Sequence, residues 1–200
     1  AGNYYSAGDT ITPDFVSFYA KIPYTLNDDD VVVEDGVIQS CSYEFISKFI
    51  TIPEVLDDQT VTAIAWATED NQIFSTRNIL EINLPSSLKK IGGNAFFQNL
   101  IHYVNLNNNY ALTEIDDYAF YSNNLDSVII PKSVETIGYE AFAYNVEMDT
   151  VIFEENCKIN FIDSKAFSMI IDLNIVLPAP VKEGYIFDEW QDGNGKIYQA

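Results

Sequence analysis

Basic residues are scarce in this chain of 200 residues, which has 10 lysines and arginines against 30 aspartates and glutamates and a net charge of −20. Proteins that bind nucleic acid need clustered lysine and arginine to neutralise phosphates, so this composition excludes nucleic acid as a partner. The same charge opposes binding to anionic lipid headgroups. It suits a basic partner, or mutual repulsion between molecules on a crowded surface.

Histidine and cysteine are also rare, with one histidine, His102, and two cysteines, Cys41 and Cys157. A lone histidine without a nucleophile elbow gives no Ser-His-Asp arrangement, and the chain has neither a phosphate-binding glycine-rich loop nor Cys/His metal spacing. The acidic stretches at 27–30 and 188–195 lack the spacing of a calcium loop, and turns explain them better. The sequence therefore predicts a protein that is not an enzyme and that holds no cofactor and no metal ion.

Long apolar runs are missing as well. No stretch of this sequence approaches the roughly 20 apolar residues that a membrane-spanning helix needs, so we expect no direct membrane insertion. The sequence opens with AGNYYSAG and no methionine, as expected for a mature secreted product. We therefore expect an extracellular or cell-surface location.

What the chain does contain is a motif that occurs four times without interruption. Each copy has an apolar residue, a second apolar residue three positions later, and Ala-Phe beginning four positions after that. Both spacings are identical in every copy, a regularity that indicates a stacked repeat. The copies are Leu88, Ile91, Ala95-Phe96; Leu112, Ile115, Ala119-Phe120; Val134, Ile137, Ala141-Phe142; and Ile159, Ile162, Ala166-Phe167.

A short run with the two-residue period of a β-strand precedes each copy, and a fifth run follows the last. The central residues of these runs are 22, 24, 23 and 24 positions apart: Ile82, Val104, Val128, Val151 and Ile175. A unit of this size cannot bury its apolar side alone, so stacking should place the strands side by side in one parallel ladder. The four phenylalanines, Phe96, Phe120, Phe142 and Phe167, should then align as an internal aromatic column.

The repeats resemble the leucine-rich repeats of the BspA type, found in bacterial cell-surface proteins. VIIPKSVETIGYEAFAYN (128–145) and INLPSSLKKIGGNAFFQN (82–99) carry the resemblance, which extends over residues 50–178. The first unit departs from the pattern, because Thr68-Glu69 stands where Ala-Phe is expected and an insertion lies around 69–78. We expect Trp66 to fill that space. The family implies surface display and binding, often adhesion, and provides no catalytic residues.

The expected fold is therefore a strand-dominated leucine-rich-repeat solenoid, a right-handed stack of about five repeats of 22–25 residues with a parallel β-sheet face. Residues 1–49 should form an N-terminal β cap, 50–178 the repeat array, and 179–200 a C-terminal hairpin cap. The segment 177–198 also resembles the opening of an internalin-type B-repeat, and a cap and such a module are compatible. In this stack about 20 Å of strands would separate Cys41 from Cys157, too far for a disulfide, so both should be free.

Two functions remain open, a binding module and a structural spacer in a larger surface protein. The outward side chains of the predicted strands distinguish them, because a spacer has little reason to expose an aliphatic strip. We predict that a monomer binds a protein or glycan of a host or neighbouring cell through this face, and that His102 is solvated on it. The predicted contact residues are Tyr103, Asn105, Ile129, Thr150 and Ile152.

Overall fold

The computed structural model describes residues 21–171, 173–176, 190–191 and 197–198. Apart from two single-turn 3₁₀ helices, η1 (Asp28–Asp30) and η2 (Leu106–Asn108), the regular structure in this part of the chain consists of short strands. The strands are β1 (Pro23–Thr25), β2 (Val31–Glu34), β3 (Val37–Cys41), β4 (Phe49–Thr51), β5 (Val55–Leu56), β6 (Gln59–Thr60), β7 (Ala63–Ile64), β8 (Glu81–Asn83), β9 (Lys90–Ile91), β10 (Tyr103–Val104), β11 (Glu114–Ile115), β12 (Ser127–Ile130), β13 (Thr136–Ile137), β14 (Thr150–Phe153), β15 (Phe161–Ile162), β16 (Asn174–Val176), β17 (Trp190–Gln191) and β18 (Ile197–Tyr198).

The predicted strands form the first face of a solenoid. They pair in parallel in two sheets, one ordered β1-β4-β8-β10 and the other β12-β14-β16. The register joins Ile50 to Ile82 and Ile82 to Val104 in the first sheet, and Val128 to Val151 in the second. These anchors are buried, and residues beside them such as Ile129 and Ile152 point outward, so the predicted period of two holds in these strands. The fifth predicted anchor, Ile175, is not buried: it lies on the edge strand β16 with 37% of its surface exposed.

The ladder is not continuous, which corrects the expectation of a single sheet. After Val104 the chain leaves the strand conformation and forms η2. Asn105 turns inward at this point: its Oδ1 accepts a hydrogen bond from Leu84 N at 2.7 Å, and its Nδ2 donates to Leu84 O at 3.2 Å. The side chain thus takes the hydrogen bonds that a further ladder residue would have made, and β10 ends one residue early.

A second parallel sheet, which the sequence analysis did not predict, covers another side of the solenoid. Its order is β15-β13-β11-β9-β7-β3, with β2 added antiparallel at the edge. The second apolar residue of each repeat lies in it, so that Ile91, Ile115 and Ile137 pair in register. The hairpin β2–β3 turns at Asp35 and Gly36, with φ of 52° and 75°, the positive values that an Asp-Gly pair favours in a two-residue hairpin turn.

The solenoid has about six coils rather than five. The difference arises because β1 pairs in parallel with β4 and β3 with β7, so residues before 50 add strands to both sheets. Strands β17 and β18 pair antiparallel. The remainder of the expected C-terminal cap and of the internalin-like segment, and residues 1–20 of the expected N-terminal cap, lie outside the described residues.

The aromatic column lies in the core. Ring centroids are 5.1 Å apart between Phe96 and Phe120, 5.3 Å between Phe120 and Phe142, and 5.3 Å between Phe142 and Phe167, and all three pairs are stacked within 15° of parallel. The first three rings are fully buried and Phe167 is half-buried. Stacked rings contribute about 0.5–1.5 kcal/mol per pair beyond the burial of their area.

The insertion at 69–78 supplies a further ring to this column. Phe74 is fully buried and stacks on Phe96 at 5.5 Å, and Phe45 meets Phe74 edge-on at 6.1 Å. The expectation that Trp66 fills this space is wrong, because Trp66 lies outside the core with 49% of its surface exposed. A buried ring is available within the insertion itself, so the core does not need the indole.

Buried asparagines lie three residues after three phenylalanines of the column, Phe96, Phe120 and Phe142. Asn145 Oδ1 accepts from Leu125 N at 3.1 Å, and its Nδ2 donates to the carbonyl oxygens of Phe120 and Phe142 at 2.9 and 2.8 Å. One coil earlier, Asn123 accepts from Ile101 N and donates to Phe96 O. Two coils earlier, Asn99 accepts from Ile79 N and donates to the carbonyl oxygens of Phe74 and Phe96. Each amide therefore satisfies backbone groups of adjacent coils that the turn leaves without ladder partners.

The two thiols provide a test of the described packing. Cys41 and Cys157 are both free, as predicted, and both are buried. Burial raises the pKa of Cys41 to about 11 and also raises that of Cys157. Only the thiolate form of a cysteine reacts with iodoacetamide, so at about pH 8 both thiols should stay unmodified in the folded chain and both should be alkylated in denaturant. The mass of the intact protein measures the number of alkylated thiols. Rapid labelling of either thiol in the native protein would contradict the packing.

In the described part of the chain, no helix combines the length and the apolar character that crossing a bilayer requires.

Candidate functional site

The predicted contact residues of the first face are separated by the break in the ladder. Ile129 and Ile152 are direct neighbours in β12 and β14, each 38% exposed, and Thr150 lies half-buried beside them. Tyr103 is 47% exposed but belongs to the other sheet, where it pairs with Glu81. Ile129 and Ile152 thus form a patch with Val176, the register partner of Ile152, while Tyr103 stands apart from that patch.

Asn105 is not available to a partner, which corrects its assignment as a contact residue. It is buried, and both polar atoms of its side chain bond to the Leu84 backbone. The sequence period places it in the same row as Ile129, but an asparagine gains more from satisfying backbone groups than from an outward position.

His102 is not fully solvated on the strand surface, which corrects the second assignment on this face. Its ring is half-buried and its Nε2 lies 3.2 Å from Glu81 Oε1, the same oxygen that Lys21 Nζ contacts at 2.9 Å. This cluster gives no nucleophile and no leaving-group pocket. A structural ion pair with a shared carboxylate explains it.

The acidic stretch at 27–30 caps η1. Asn27 Oδ1 accepts from Asp29 N at 3.0 Å, and Asp30 Oδ2 accepts from Asn27 N and from the Tyr24 hydroxyl, each at 2.9 Å. These oxygens are occupied by protein donors. Among the residues with a described position, no group of three or more histidines, cysteines, aspartates or glutamates is arranged to hold a metal ion.

A shallow cleft of about 430 Å³ lies on the side of the solenoid where the Ala-Phe turns stack. We call it the turn-side cleft. Four of its seven lining residues are aromatic, two are carboxamides and one is a carboxylate. They are Trp66, Asn94, Phe97, Gln98, Tyr118, Tyr121 and Glu140.

The rings of the cleft are held by one another across coils. Phe97 stacks on Tyr121 with centroids 5.1 Å apart, and Tyr118 meets Tyr121 edge-on at 5.6 Å. Tyr118 also meets Tyr139 edge-on at 5.4 Å, and Lys165 Nζ lies 5.2 Å from the Tyr139 ring centroid. This ladder is separate from the buried phenylalanine column and faces outward.

The indole of Trp66 lies flat against backbone, which Gly93 makes possible. A Cβ at position 93 would fall 2.5–2.6 Å from three atoms of the indole ring, so any larger residue would displace it. The insertion that follows Trp66 begins a longer loop, and Phe74 rather than Trp66 enters the core. The ring is therefore left to line the cleft.

The polar groups of the cleft remain available. Within the described residues, the Gln98 and Glu140 side chains make no hydrogen bond or ion pair, and Asn94 uses only its Nδ2, in a long contact of 3.4 Å with Ala67 O. Desolvation, and then the neighbouring Tyr139, raise the pKa of Tyr118, so its phenol stays protonated and can donate at neutral pH. The cleft thus presents both donors and acceptors beside apolar ring surface.

Sequence reasoning missed this cleft, although a signal was present. The residue after each core phenylalanine is aromatic in two successive copies, Phe97 and Tyr121, and Tyr118 occupies the position two before the next core ring. The sequence analysis assigns no role to these positions and places the Trp66 ring in the core.

Comparisons with known proteins agree with the architecture. A family model described as "BspA type Leucine rich repeat region" matches residues 68–184 in 6 copies. Among solved structures, the chain resembles a Leucine Rich Repeat protein of T. pallidum, with TM-score 0.59 and 24% identity over 72% of this chain and 64% of that one. It thus spans less than two thirds of that protein's length.

A second solved structure with similarity is a leucine rich cell surface protein of Faecalibacterium prausnitzii A2-165, with TM-score 0.41 and 21% identity over 86% of this chain and 57% of that one. No curated protein sequence matches this chain significantly. Neither the family description nor the names of the two similar proteins mentions an enzymatic activity.

Proposed function

Because the chain belongs to the BspA-type leucine-rich repeat family, we propose that it is a non-catalytic binding module that acts as a monomer at a cell surface. Its role is adhesion to a protein on a host or neighbouring cell. A surface location and a role without catalysis are what family membership leads us to expect.

The observation that carries this proposal is the aliphatic patch on β12 and β14. Ile129 and Ile152 are adjacent in register and more than a third exposed, although the same strands bury Val128 and Val151 completely or nearly so. Exposed neighbouring aliphatic side chains on a rigid sheet supply the desolvated centre of a protein interface. A protein that only spaces other modules gains nothing from them.

The charge of the chain favours a basic partner for this patch. With a net charge of −20, the field around the solenoid attracts a cationic surface and accelerates encounter. Such steering decays as salt is added, since the Debye length is about 8 Å at physiological ionic strength. The aliphatic patch would then hold the complex after steering brings the two molecules together.

The test replaces both isoleucines of the patch by threonine. Ile129→Thr with Ile152→Thr keeps the β-branched shape that suits a strand, so the free energy of unfolding should change by no more than about 0.5 kcal/mol. Adhesion of coated beads to cultured epithelial cells and to reconstituted extracellular matrix should fall about tenfold or more. Val32→Thr is the matched control, because Val32 is also an exposed β-branched aliphatic residue but lies on β2, at the edge of the second sheet and away from the patch.

Equal loss in the control would show that general surface hydrophobicity, and not this patch, mediates adhesion. If the double variant adheres as well as the parent, the first face is not the recognition surface. If the parent itself does not adhere, the alternative of a structural spacer takes the lead.

A further inference from the structure

We propose that the turn-side cleft is a second binding site, which takes a neutral glycan of two or three sugar rings. This site lies on a different side of the solenoid from Ile129 and Ile152 and does not depend on the adhesion proposed above. Its volume of about 430 Å³ falls within the range of about 300–1,000 Å³ typical of ligand pockets.

The aromatic lining matches one side of a sugar ring. A pyranose has an apolar face of C–H groups, and the slightly positive hydrogens of this face are attracted to the negative π-face of an aromatic ring. Trp66 and Tyr118 line the cleft together with Phe97 and Tyr121, so aromatic surface is available along successive coils. Because neighbouring coils are one strand spacing apart, about 4.8 Å, the rings can follow a chain of sugars along the stack.

The polar lining matches the other side of a sugar. Hydroxyl groups donate and accept hydrogen bonds, and carboxamides do both as well. Asn94 and Gln98 offer amides that are largely unoccupied within the described residues, Glu140 offers an acceptor, and the Tyr118 phenol offers a donor. An apolar partner would leave these groups without bonds, which costs free energy.

The charge of the chain decides which glycans fit. A net charge of −20 and the carboxylate of Glu140 in the lining disfavour sulfated, sialylated or uronate-rich glycans, leaving neutral ones. A cationic segment is the competing occupant on charge alone. The two carboxamides favour the glycan, because they add little to the binding of a cation but recognise hydroxyls directly.

The backbone of the cleft is fixed before any ligand binds. Asn94, Gln98, Tyr118 and Glu140 all have left-handed backbone, with φ between 50° and 58°. The same turns bond to each other across coils: Asn94 N donates to Asp117 O at 3.0 Å, and Tyr118 N donates to Tyr139 O at 2.9 Å. A backbone that is already ordered loses less conformational entropy when a ligand binds, and this matters most for a ligand that binds weakly, such as a sugar.

The test measures binding of cellobiose, lactose and N,N′-diacetylchitobiose to the full chain by saturation-transfer NMR and by titration of tryptophan emission. The chain has two tryptophans, so Trp190→Phe leaves Trp66 as the sole reporter for the emission measurement. We expect at least one disaccharide to bind and to change Trp66 emission. Binding of none of the three, tested also as multivalent bead-bound conjugates, would overturn the proposal.

Variants then assign the site. Tyr118→Asn removes the ring but keeps a residue that tolerates left-handed backbone, as Asn94 does at the equivalent position one coil earlier. It should lower the melting temperature by only a few degrees, since it removes two edge-on ring contacts of a half-buried side chain, and weaken disaccharide binding about tenfold or more. Gly93→Ala should weaken binding as well, by displacing Trp66. Tyr110→Asn is the control, because Tyr110 is an exposed ring outside the cleft. This variant should bind the disaccharide as tightly as the parent does.

Charge distinguishes the competing occupant. For a neutral glycan, a rise from about 50 to about 500 mM salt should change the affinity by less than about threefold. A lysine-rich peptide serves as the cationic probe. Three results together would identify a cation site: the peptide binds the parent, its affinity falls about tenfold or more with Glu140→Gln, and no disaccharide competes with it. The glycan proposal would then be wrong.

Discussion

Phe120→Ala should lower the free energy of unfolding by about 3–5 kcal/mol, the usual cost of truncating a fully buried phenylalanine. Phe120 has no exposed surface and stacks between Phe96 at 5.1 Å and Phe142 at 5.3 Å. The substitution leaves a cavity in the middle of the column and removes two ring contacts at once. For a protein of this size the melting temperature should fall by roughly 6–20 °C, measured by calorimetry.

Phe161→Ala provides the control for this experiment. Phe161 is a phenylalanine of the same repeat array but lies 53% exposed on β15 of the second sheet. It should change stability by no more than about 1 kcal/mol, because little apolar area returns to water. Similar melting temperatures for the Phe120 and Phe161 variants would mean that the column is not the core.

Asn145→Ala should cost about 2–4 kcal/mol, although it removes only a small polar side chain. The amide of Asn145 is fully buried and bridges Leu125 N to the carbonyl oxygens of Phe120 and Phe142. Without it, up to three backbone groups are left buried and unpaired, each costing about 1–3 kcal/mol unless the coils relax. Urea unfolding monitored by circular dichroism measures the loss.

Two further variants separate hydrogen bonding from packing. Asn145→Asp keeps the size of the side chain but cannot donate to the two carbonyls when ionised, so it should be destabilised at least as much as Asn145→Ala at neutral pH. Asn124→Ala is the matched control, because Asn124 lies exposed about one coil earlier and its side chain makes no hydrogen bond among the described residues. If Asn145→Asp is as stable as the parent, the amide bridge does not support the coils.

The parts of this fold that the sequence predicted are those governed by its period. The three- and four-residue spacings identify the buried apolar positions, and stacking then dictates that Phe96, Phe120 and Phe142 meet. The strands centred on Ile82, Val128 and Val151 follow from the period of two. These features require only that each coil repeats its neighbour.

The parts that could not be predicted are those where one coil departs from the repeat. Whether Trp66 or Phe74 enters the core depends on the path of the insertion, which periodicity does not specify. Asn105 leaves the outward row because its side chain can bond to the Leu84 backbone, a choice made by local geometry. The turn-side cleft arises from the same departures, since it needs an indole left outside the core and a glycine, Gly93, beneath it.

The most direct test of a surface-binding role is whether beads coated with this chain adhere to cultured epithelial cells, with the soluble chain as competitor. Binding through a specific face predicts adhesion that saturates with bead number and that the soluble parent abolishes, while the Ile129→Thr, Ile152→Thr variant competes about tenfold less well. Adhesion no greater than that of uncoated beads, or adhesion that the soluble chain does not reduce, would contradict a binding role and leave the solenoid as a spacer.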